Sequence, residues 1–310
     1  MTSAPSVPAE VPVPAQERAA VVAAADTGVY RHLVLAAPAA SRARPGQFVA
    51  VAVGDPTSSA MLLRRAFSVH RADPVAGTVE VVVAAHGPGT AWVCARDVGD
   101  VVDVVGPLGT GFDLPASGRL VLVGGGYGSA PFAWTAASVP AGVVVDAVAG
   151  AGDAERLCDV DGIRAAVEAT GGRLHVTTDD GSAGRQGRVT DALADLLAEP
   201  PASAGTATGV AACGPMAMLA AVATTAGRAT QGSGRPVTVQ VAVEEAMACG
   251  IGICMTCVLP VRGADGRTRM LRSCTEGPVL DAERVRWDCV GAHGASVPAD
   301  AVGAPEGGAA

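Results

Sequence analysis

The chain has 310 residues and a mass of 30.5 kDa, a length that suggests about two domains. All 22 of its basic residues are arginines, which excludes chemistry that depends on lysine, such as a Walker A loop or a Schiff base. The 30 acidic residues bring the formal net charge to −8, and without a basic cluster no binding of nucleic acid is expected.

The hydrophobic composition does not indicate a membrane protein. Hydrophobic residues make up 49% of the chain and the mean hydropathy is +0.36, but most of them are Ala and Val. Gly, Pro or a charge interrupts every apolar stretch before it reaches the length of a membrane span, so no membrane insertion is expected. The N-terminus also lacks the basic start and compact apolar segment of a signal peptide, which predicts a cytoplasmic protein.

Both ends of the chain are predicted to be disordered tails. Residues 1–17 and 289–310 are biased in composition and show no hydrophobic period. Three regions of different pattern lie between them.

Residues 18–115 are predicted to form a small antiparallel β-barrel, because short β-type runs alternate there with turns rich in Gly and Pro. Two of its segments, Arg65-Ala66-Phe67-Ser68 and Gly87-Pro88-Gly89-Thr90, combine a guanidinium, hydroxyls and an aromatic ring. These groups suit a phosphate and an isoalloxazine ring. A surface strand without a ligand is an equally good interpretation of the first segment alone.

Residues 116–235 alternate strand and helix patterns, which predicts an α/β domain with a doubly wound parallel sheet. The strand in LVLVGGGYGSAPF runs into Gly124, Gly125, Gly126 and Gly128 and then into a helix, where a pyrophosphate can approach the backbone. Because Ser129 replaces the last glycine of GxGxxG, a turn without a ligand remains an alternative.

A second candidate nucleotide contact is Cys213-Gly214-Pro215, at the carboxyl end of another strand, where ligands of open α/β sheets bind. A plain turn explains this segment equally well in isolation. Asp146 lies about twenty residues beyond the Gly-rich turn, where a ribose-binding acid is found in related folds. It is flanked by VVV and AVA, so it is not assigned to the ribose.

Residues 236–288 are predicted to form a small [2Fe–2S] cluster subdomain. Cys249, Cys254 and Cys257 follow a C-x4-C-x2-C spacing, and sixteen residues separate Cys257 from Cys274. This is the plant-type ligand pattern for a [2Fe–2S] cluster. The alternative is a structural zinc site, which prefers C-x2-C pairs on both sides. Cys289 falls outside the pattern.

The order of motifs RxFS, GxGT, GPLGTGF, GGGxGxxP and CGPxxM resembles the ferredoxin–NAD(P) reductase superfamily, in which a flavin barrel precedes a nicotinamide domain. More narrowly, EEAMACGIGICMTC and CTEGPVLDAERV resemble the electron-transfer subunits of class 1B dihydroorotate dehydrogenases. The resemblance covers roughly residues 30–288. One departure is Ala246, which stands where family members usually carry a basic residue.

The resemblance implies two bound cofactors, FAD and a [2Fe–2S] cluster, with NAD as substrate. It places FAD on residues of the barrel, namely Arg65, Ala66, Phe67, Ser68, Val82, Val83, Ala84, Gly89 and Thr90. It places NAD on Gly124, Gly125, Gly126, Gly128, Cys213, Gly214 and Pro215. It places the cluster on Cys249, Cys254, Cys257 and Cys274, and it implies no acid–base catalytic residue.

The implied function is electron transfer in pyrimidine biosynthesis. An FMN-containing dihydroorotate dehydrogenase catalytic subunit would supply electrons that leave to NAD+, in a heterotetramer of two plus two. The apolar residues Ile251, Ile253 and Met255 are expected to contact that partner. Two alternatives remain: a reductase subunit for another acceptor, such as a hydrogenase, sulfide or oxygenase system, and a zinc-stabilised nucleotide-binding module without redox activity.

NADH is expected to be preferred over NADPH, because residues 146–153 contain no cation that would meet a 2′-phosphate. The alternative is that Arg185 or Arg188 sets the specificity.

Overall fold

The structure is a computed structural model that describes residues 13–54, 61–199, 207–291, 294–295 and 297–303. Its first part is a closed antiparallel barrel, which confirms the predicted flavin-domain fold, with strand order β1–β2–β5–β4–β3–β6. The strands are β1 (Ala15–Thr27), β2 (Tyr30–Ala36), β3 (Phe48–Val51), β4 (Arg65–Asp73), β5 (Thr78–Ala84) and β6 (Val101–Leu108). A short helix, α1 (Pro88–Cys94), lies between β5 and β6.

The barrel interior follows from the alternation of side chains along each strand. On β5, Val79, Val81 and Val83 are buried inside, and the residues between them face outward. Leu33 and Leu35 do the same on β2. The outward positions of these strands are therefore the ones available to ligands and to the rest of the protein.

The N-terminal boundary of the barrel differs from the prediction, since β1 begins at Ala15, inside the segment 1–17 predicted to be disordered. Residues Ala15 to Ala20 pair with β6, which satisfies their backbone groups, and Ala19 is fully buried. Residues 1–12 of the predicted tail lie outside the described residues.

The second part is the predicted doubly wound α/β sheet, which the structure confirms. Its strands in chain order are β7 (Gly118–Gly125), β8 (Val143–Ala151), β9 (Leu174–Thr178), β10 (Arg185–Gln186), β11 (Thr208–Cys213) and β12 (Val237–Ala242). Its helices are α2 (Phe132–Ala137), α3 (Val160–Glu168), α4 (Val189–Ala198) and α5 (Met216–Ser233). On β7, Val121 and Val123 pack with α4 and α5, whereas Leu120 and Leu122 pack with α2 and α3.

The third part carries the cysteines and continues the chain as β13 (Val258–Arg262), β14 (Thr268–Arg272), β15 (Val279–Asp281), β16 (Val290–Gly291) and β17 (Gly294–Ala295). Strands β13 and β14 form an antiparallel hairpin, and β16 pairs with β17.

The boundary predicted at residue 236 is wrong in structural terms. Strand β12, assigned to the cluster subdomain, pairs in parallel with β11 over its whole length, and β15 then pairs antiparallel with β12. The sheet order is β10–β9–β8–β7–β11–β12–β15. The valines of β12 have a buried sheet neighbour, which explains why this strand joins the nucleotide sheet.

The C-terminal segment also differs from the tail predicted over 289–310. Ala301 forms a bridge with Thr268 of β14, and the Val302 N–H donates to the Thr268 carbonyl at 2.8 Å. Asp300 accepts from Arg286 at 2.8 Å. These contacts tie residues 297–303 to the cysteine-bearing part, while 304–310 lie outside the described residues. Among the helices that the structure describes, none is both long enough and apolar enough to cross a membrane.

Candidate functional site

The four predicted cluster ligands come together in the third part of the fold. Cys249, Cys254 and Cys257 lie on the loop between β12 and β13, and Cys274 lies just after β14. Cys257 and Cys274 are each 1% exposed, whereas Cys254 is exposed. The loop therefore holds one side of the cysteine group inside the protein and presents the other at the surface.

Backbone N–H groups of this loop point at the sulfur atoms. The Gly252 N–H donates to Cys274 Sγ at 3.2 Å, and the Cys254 N–H donates to Cys249 Sγ at 3.5 Å. Gly250 and Gly252 have φ of +72° and +79°, a backbone conformation that glycine adopts at little cost. The wrapping of the loop around the sulfurs thus depends on both glycines.

The N–H groups also favour the thiolate form of one ligand. Partial burial works against ionisation of Cys249, but hydrogen bonds from the backbone of Cys254, Ile251 and Ile253 outweigh it and lower the pKa of Cys249 to about 6. Metal–sulfur chemistry needs thiolates. The donor set therefore fits a thiolate-bound metal centre.

The strongest interactions among the sulfurs join them in two pairs, and no compact group of three or four forms among these described cysteines. Cys249 interacts with Cys254, and Cys274 interacts with Cys257. No three of these four described cysteines form a group whose sulfur atoms all lie within 4.8 Å of one another. A tetrahedral zinc site would bring all four sulfurs to within about 4 Å, because its Zn–S bonds are about 2.3 Å. Two thiolates for each of two irons fit this arrangement better.

The cysteine group packs directly on the barrel. The two buried cysteines belong to one apolar cluster with Phe48, Ala50 and Leu108, which come from β3 and β6. An added Cβ on Gly250 would lie 3.2 Å from Leu108 Cδ1. A side chain at position 250 would therefore crowd Leu108 and would also have to adopt the left-handed backbone conformation.

A cavity, here called the barrel cavity, lies where the barrel, the nucleotide sheet and the cysteine-bearing part meet. It is lined by residues of all three parts, among them Phe48, Ala66, Phe67, Ser68, Val82, Gly128, Cys213, Gly214, Met247 and Pro278. Phe48 thus contacts the cysteine group on one side and this cavity on the other. The predicted flavin residues Ala66, Phe67, Ser68 and Val82 are brought together here.

The other predicted flavin residues are placed differently. Arg65 lies against Gly89, where an added Cβ would be 2.5 Å from Arg65 Nε, so the absence of a side chain at Gly89 makes room for the guanidinium. Thr90 Oγ1 accepts from the backbone N–H groups of His86 and Gly87 and holds the loop before α1. Val83 is 1% exposed inside the barrel, so its side chain lines neither cavity.

A second cavity of about 460 Å³, here called the sheet cavity, opens at the carboxyl ends of the parallel strands. Gly125, Gly126 and Pro215 line it, and so does Ala84 from the barrel. Its volume is in the range of small-molecule sites.

The other predicted nucleotide residues have different positions. Gly128, Cys213 and Gly214 line the barrel cavity instead. An added Cβ on Gly128 would clash with the Cys213 carbonyl, so the turn after β7 contacts the end of β11 there without room for a side chain. Burial raises the pKa of Cys213 to about 12, so this cysteine stays a neutral thiol. Gly124 is also tightly packed, because its Cβ would lie 2.3 Å from Ser129 Oγ.

Tyr127 is a site residue that the sequence analysis did not single out. It lines both cavities, and its hydroxyl donates a hydrogen bond to Glu244 across 117 residues of sequence. Burial and this contact with the Glu244 carboxylate raise the pKa of Tyr127, so the phenol stays protonated. Tyr127 occupies the variable position of GGGxG, and no sequence spacing links it to Glu244.

The charged residues that the sequence analysis considered for nucleotide binding have different positions in the structure. Asp146 is 3% exposed and accepts from Arg119 Nε at 2.7 Å, so it is part of the domain core, as its flanking residues indicated. Arg188 lines the sheet cavity, whereas Arg185 pairs with Asp195 at 2.5 Å. Arg156 also lines the cavity and is paired with Asp153.

Solved structures with this architecture define the class of protein. The chain is similar to a solved NADH-dependent reduced ferredoxin–NADP oxidoreductase, at 29% identity and a TM-score of 0.72, over 87% of this chain and 90% of that one. It shares the fold of a ferredoxin–NADP+ reductase from Neisseria gonorrhoeae at 19% identity and a TM-score of 0.55, over 73% of this chain and 98% of that one. The fold and the cysteine loop define an iron–sulfur protein of the ferredoxin-reductase class.

Sequence relatives narrow this class. The family described as "Iron-sulfur cluster binding domain of dihydroorotate dehydrogenase B" matches residues 244–286. A dihydroorotate dehydrogenase B (NAD(+)) electron transfer subunit of Listeria monocytogenes is 34% identical, over 82% of this chain and 92% of that protein. One from Bacillus caldolyticus is 37% identical, over 78% and 86%. The chain belongs to the family of dihydroorotate dehydrogenase B electron transfer subunits.

Proposed function

We propose that this chain is the electron-transfer subunit of an NAD-linked dihydroorotate dehydrogenase. It accepts electrons from an FMN-containing catalytic subunit that oxidises dihydroorotate, and it delivers them to NAD+ in the cytoplasm. The observation that carries this proposal is the packing of the paired cysteines on Phe48, a residue that also lines the barrel cavity.

The three predicted binding functions correspond to three adjoining places. Cys249, Cys254, Cys257 and Cys274 hold a [2Fe–2S] cluster. The barrel cavity, with Arg65 beside it on the same strand, holds FAD. The sheet cavity takes NAD, with Gly125 and Gly126 allowing the backbone approach. When bound, FAD and the cluster supply the exchange between two-electron hydride transfer and single-electron transfer.

The protein's own contribution is to hold the cysteine group, the barrel cavity and the sheet cavity next to one another and to separate them from water. Phe48 and Met247 lie between the cysteines and the barrel cavity and form an apolar wall. Tyr127 stands between the barrel cavity and the sheet cavity, and Glu244 fixes its hydroxyl. A nicotinamide that reaches the barrel cavity from the sheet cavity has to pass Tyr127. Cys213 and Tyr127 are themselves uncharged, and the carboxylates at the barrel cavity are those of Glu244 and Glu245.

The contact with the catalytic subunit is assigned to the cysteine loop. Ile253 is 75% exposed, and Ile251 and Met255 are each about half exposed. Apolar side chains exposed together beside a buried metal centre are a candidate interaction surface. A partner docked there comes close to the exposed Cys254, and two such contacts in a heterotetramer of two plus two are expected.

The test is reconstitution of the complex with its catalytic subunit. The two proteins are co-expressed, and dihydroorotate-dependent NADH formation is compared between the complex and the catalytic subunit alone. The proposal expects NADH formation only in the complex. It also expects the purified chain to show flavin absorbance with a broad iron–sulfur shoulder, whereas a zinc-stabilised module without redox function would be colourless.

A second candidate function is a reductase for another electron acceptor, which the 29% identity to the ferredoxin–NADP oxidoreductase favours. A chain that binds both cofactors but neither forms a complex nor links dihydroorotate to NAD+ would indicate this function instead.

A further inference from the structure

Four side chains that commonly bind metals lie together where the barrel meets the nucleotide domain, and none of them lines the barrel cavity or the sheet cavity. His32, His70 and Glu80 come from the neighbouring strands β2, β4 and β5. They face outward because Leu33, Val69, Val79 and Val81 fill the barrel interior. Asp159 precedes α3 of the nucleotide domain and approaches them from the other side.

The distances among these groups are those of a metal site. One ligand atom from each of His32, His70 and Glu80 lies within 4.8 Å of the other two. His32 Nε2 and Glu80 Oε2 are hydrogen-bonded at 2.9 Å, and His70 Nε2 is 3.9 Å from Asp159 Oδ2. Ligands of a tetrahedral zinc ion, with bonds of about 2.0–2.1 Å, are about 3.3 Å apart. The observed separations bracket this value, so small side-chain movements suffice.

The tautomer of His70 strengthens the argument. Its Nδ1 lies 2.5 Å from the Ala130 carbonyl oxygen. A carbonyl only accepts hydrogen bonds, so Nδ1 carries the proton and Nε2 of the neutral ring has the lone pair. That lone pair faces the Asp159 carboxylate, which is also an acceptor. A divalent cation between them satisfies both, and a histidine held by a carbonyl through its other nitrogen is the usual arrangement around bound metals.

Burial and charge agree with this arrangement. The four side chains are between 12% and 28% exposed, so water only partly solvates them. The two carboxylates carry a formal charge of −2 when both are ionised, which one divalent ion offsets. We propose that His32, His70, Glu80 and Asp159 form a zinc site that clamps the flavin-binding barrel to the nucleotide domain.

The experiment measures zinc binding to the protein with its flavin and iron–sulfur cluster in place. Holoprotein dialysed against metal-free buffer is titrated with ZnCl2, and bound zinc and retained iron are counted together by mass spectrometry after equilibrium dialysis. Because zinc that enters the cysteine site displaces iron, the iron count separates the two sites. One zinc per chain with unchanged iron is expected.

Two variants and one matched control make the assignment specific. His70→Asn and Asp159→Asn each remove a direct ligand and are expected to weaken zinc binding by about 100-fold, the upper end of the loss known for residues that only support a ligand. Asn tolerates the left-handed backbone at Asp159, where φ is +50°, so this variant keeps the local conformation. His175→Gln removes a partly buried histidine of β9 in the nucleotide domain and should bind zinc like the unmodified protein. Retained flavin shows that each variant is folded.

A second readout tests the clamp. Zinc should raise the Tm of the unmodified protein and of His175→Gln, but not that of Asp159→Asn. The proposal is overturned if the unmodified holoprotein binds no zinc while its iron is retained. It is equally overturned if His70→Asn and Asp159→Asn bind zinc as well as His175→Gln does. A Tm that changes with pH but not with zinc would also overturn it, because this would indicate a protonated His70 paired with Asp159.

Discussion

Arg65 offers the sharpest test of the flavin assignment. Its Nη1 donates to the Leu63 carbonyl at 2.6 Å, and its guanidinium lies against Gly89 at the start of α1. An arginine held in this way presents a fixed cation to a phosphate. A charge-assisted hydrogen bond contributes about 1.5–3 kcal/mol, and about 1.4 kcal/mol corresponds to a factor of ten. Arg65→Ala should therefore weaken FAD retention by roughly ten- to a hundredfold.

The assay is the dissociation constant of FAD, measured by flavin fluorescence after removal and titration of the cofactor. Arg64→Ala is the matched control, because the neighbouring guanidinium binds Asp103 at 2.6 Å instead. It should retain FAD like the unmodified protein. Stoichiometric flavin in Arg65→Ala after dilution and gel filtration would refute the assignment.

Gly89→Ala probes the same contact without removing the arginine. The added Cβ would lie 2.5 Å from Arg65 Nε, so the guanidinium has to move. FAD binding should weaken in the same direction as in Arg65→Ala. An unchanged dissociation constant would mean that the position of the guanidinium does not matter to the flavin.

Four further predictions address the other sites. Cys257→Ser should abolish the iron–sulfur absorbance while FAD stays bound, because none of the four ligand cysteines lines the barrel cavity. Ile253→Glu should prevent assembly with the catalytic subunit, measured by gel filtration, without lowering Tm, because this side chain is 75% exposed. Asp146→Ala removes the nearer of the two carboxylates that pair with buried Arg119 and leaves only Glu199 at 3.7 Å, which should cost about 3 kcal/mol and lower Tm by on the order of 10 °C. NADH should reduce a dye with a higher kcat/KM than NADPH, since Asp153 engages Arg156 and Asp179 also lines the sheet cavity.

Each of these four predictions has an outcome that would contradict it. Loss of flavin together with iron in Cys257→Ser would argue against independent sites. Assembly of Ile253→Glu with the catalytic subunit at unchanged affinity would show that the catalytic subunit contacts another surface of this chain. An unaltered Tm in Asp146→Ala would show that the ion pair is dispensable. Equal or better kinetics with NADPH would assign the specificity to Arg188, which lines the cavity, and Arg188→Ala should then restore a preference for NADH.

Local patterns explain what the sequence could predict. The cysteine spacing, the Gly-rich turn after a buried strand and the alternating valines of β5 are all readable within at most 26 residues. They led to the correct barrel and parallel sheet, and to cysteines that the fold gathers on one loop and one strand end. The side chains that face outward from β4 and β5 follow from the same alternation, although Val83 shows that a segment assigned to a ligand also contains inward positions.

What could not be predicted depends on contacts between distant segments. Tyr127 and Glu244 are separated by 117 residues, and His70 meets the carbonyl of Ala130 across a domain boundary. The strand β12 was assigned to the wrong part because its neighbour in the sheet, not its own composition, decides where it belongs. The pairing of Asp300 with Arg286 likewise gives order to a segment whose composition is that of a tail.

The antiparallel addition of β15 to β12 has a consequence for how this protein can be divided. The chain leaves the nucleotide sheet at Ala242, carries all four cysteines out over the barrel, and returns with β15 to cover the edge of the same sheet. The loop before β15 is also bonded to the barrel, since the Thr110 N–H donates to the Gly277 carbonyl at 2.5 Å. A fragment cut before β15 would expose the edge of β12 as an open strand, a template for aggregation. The cysteine-bearing segment between β12 and β15 is therefore part of the reductase fold. It would not fold as an independent module if it were transferred to another protein.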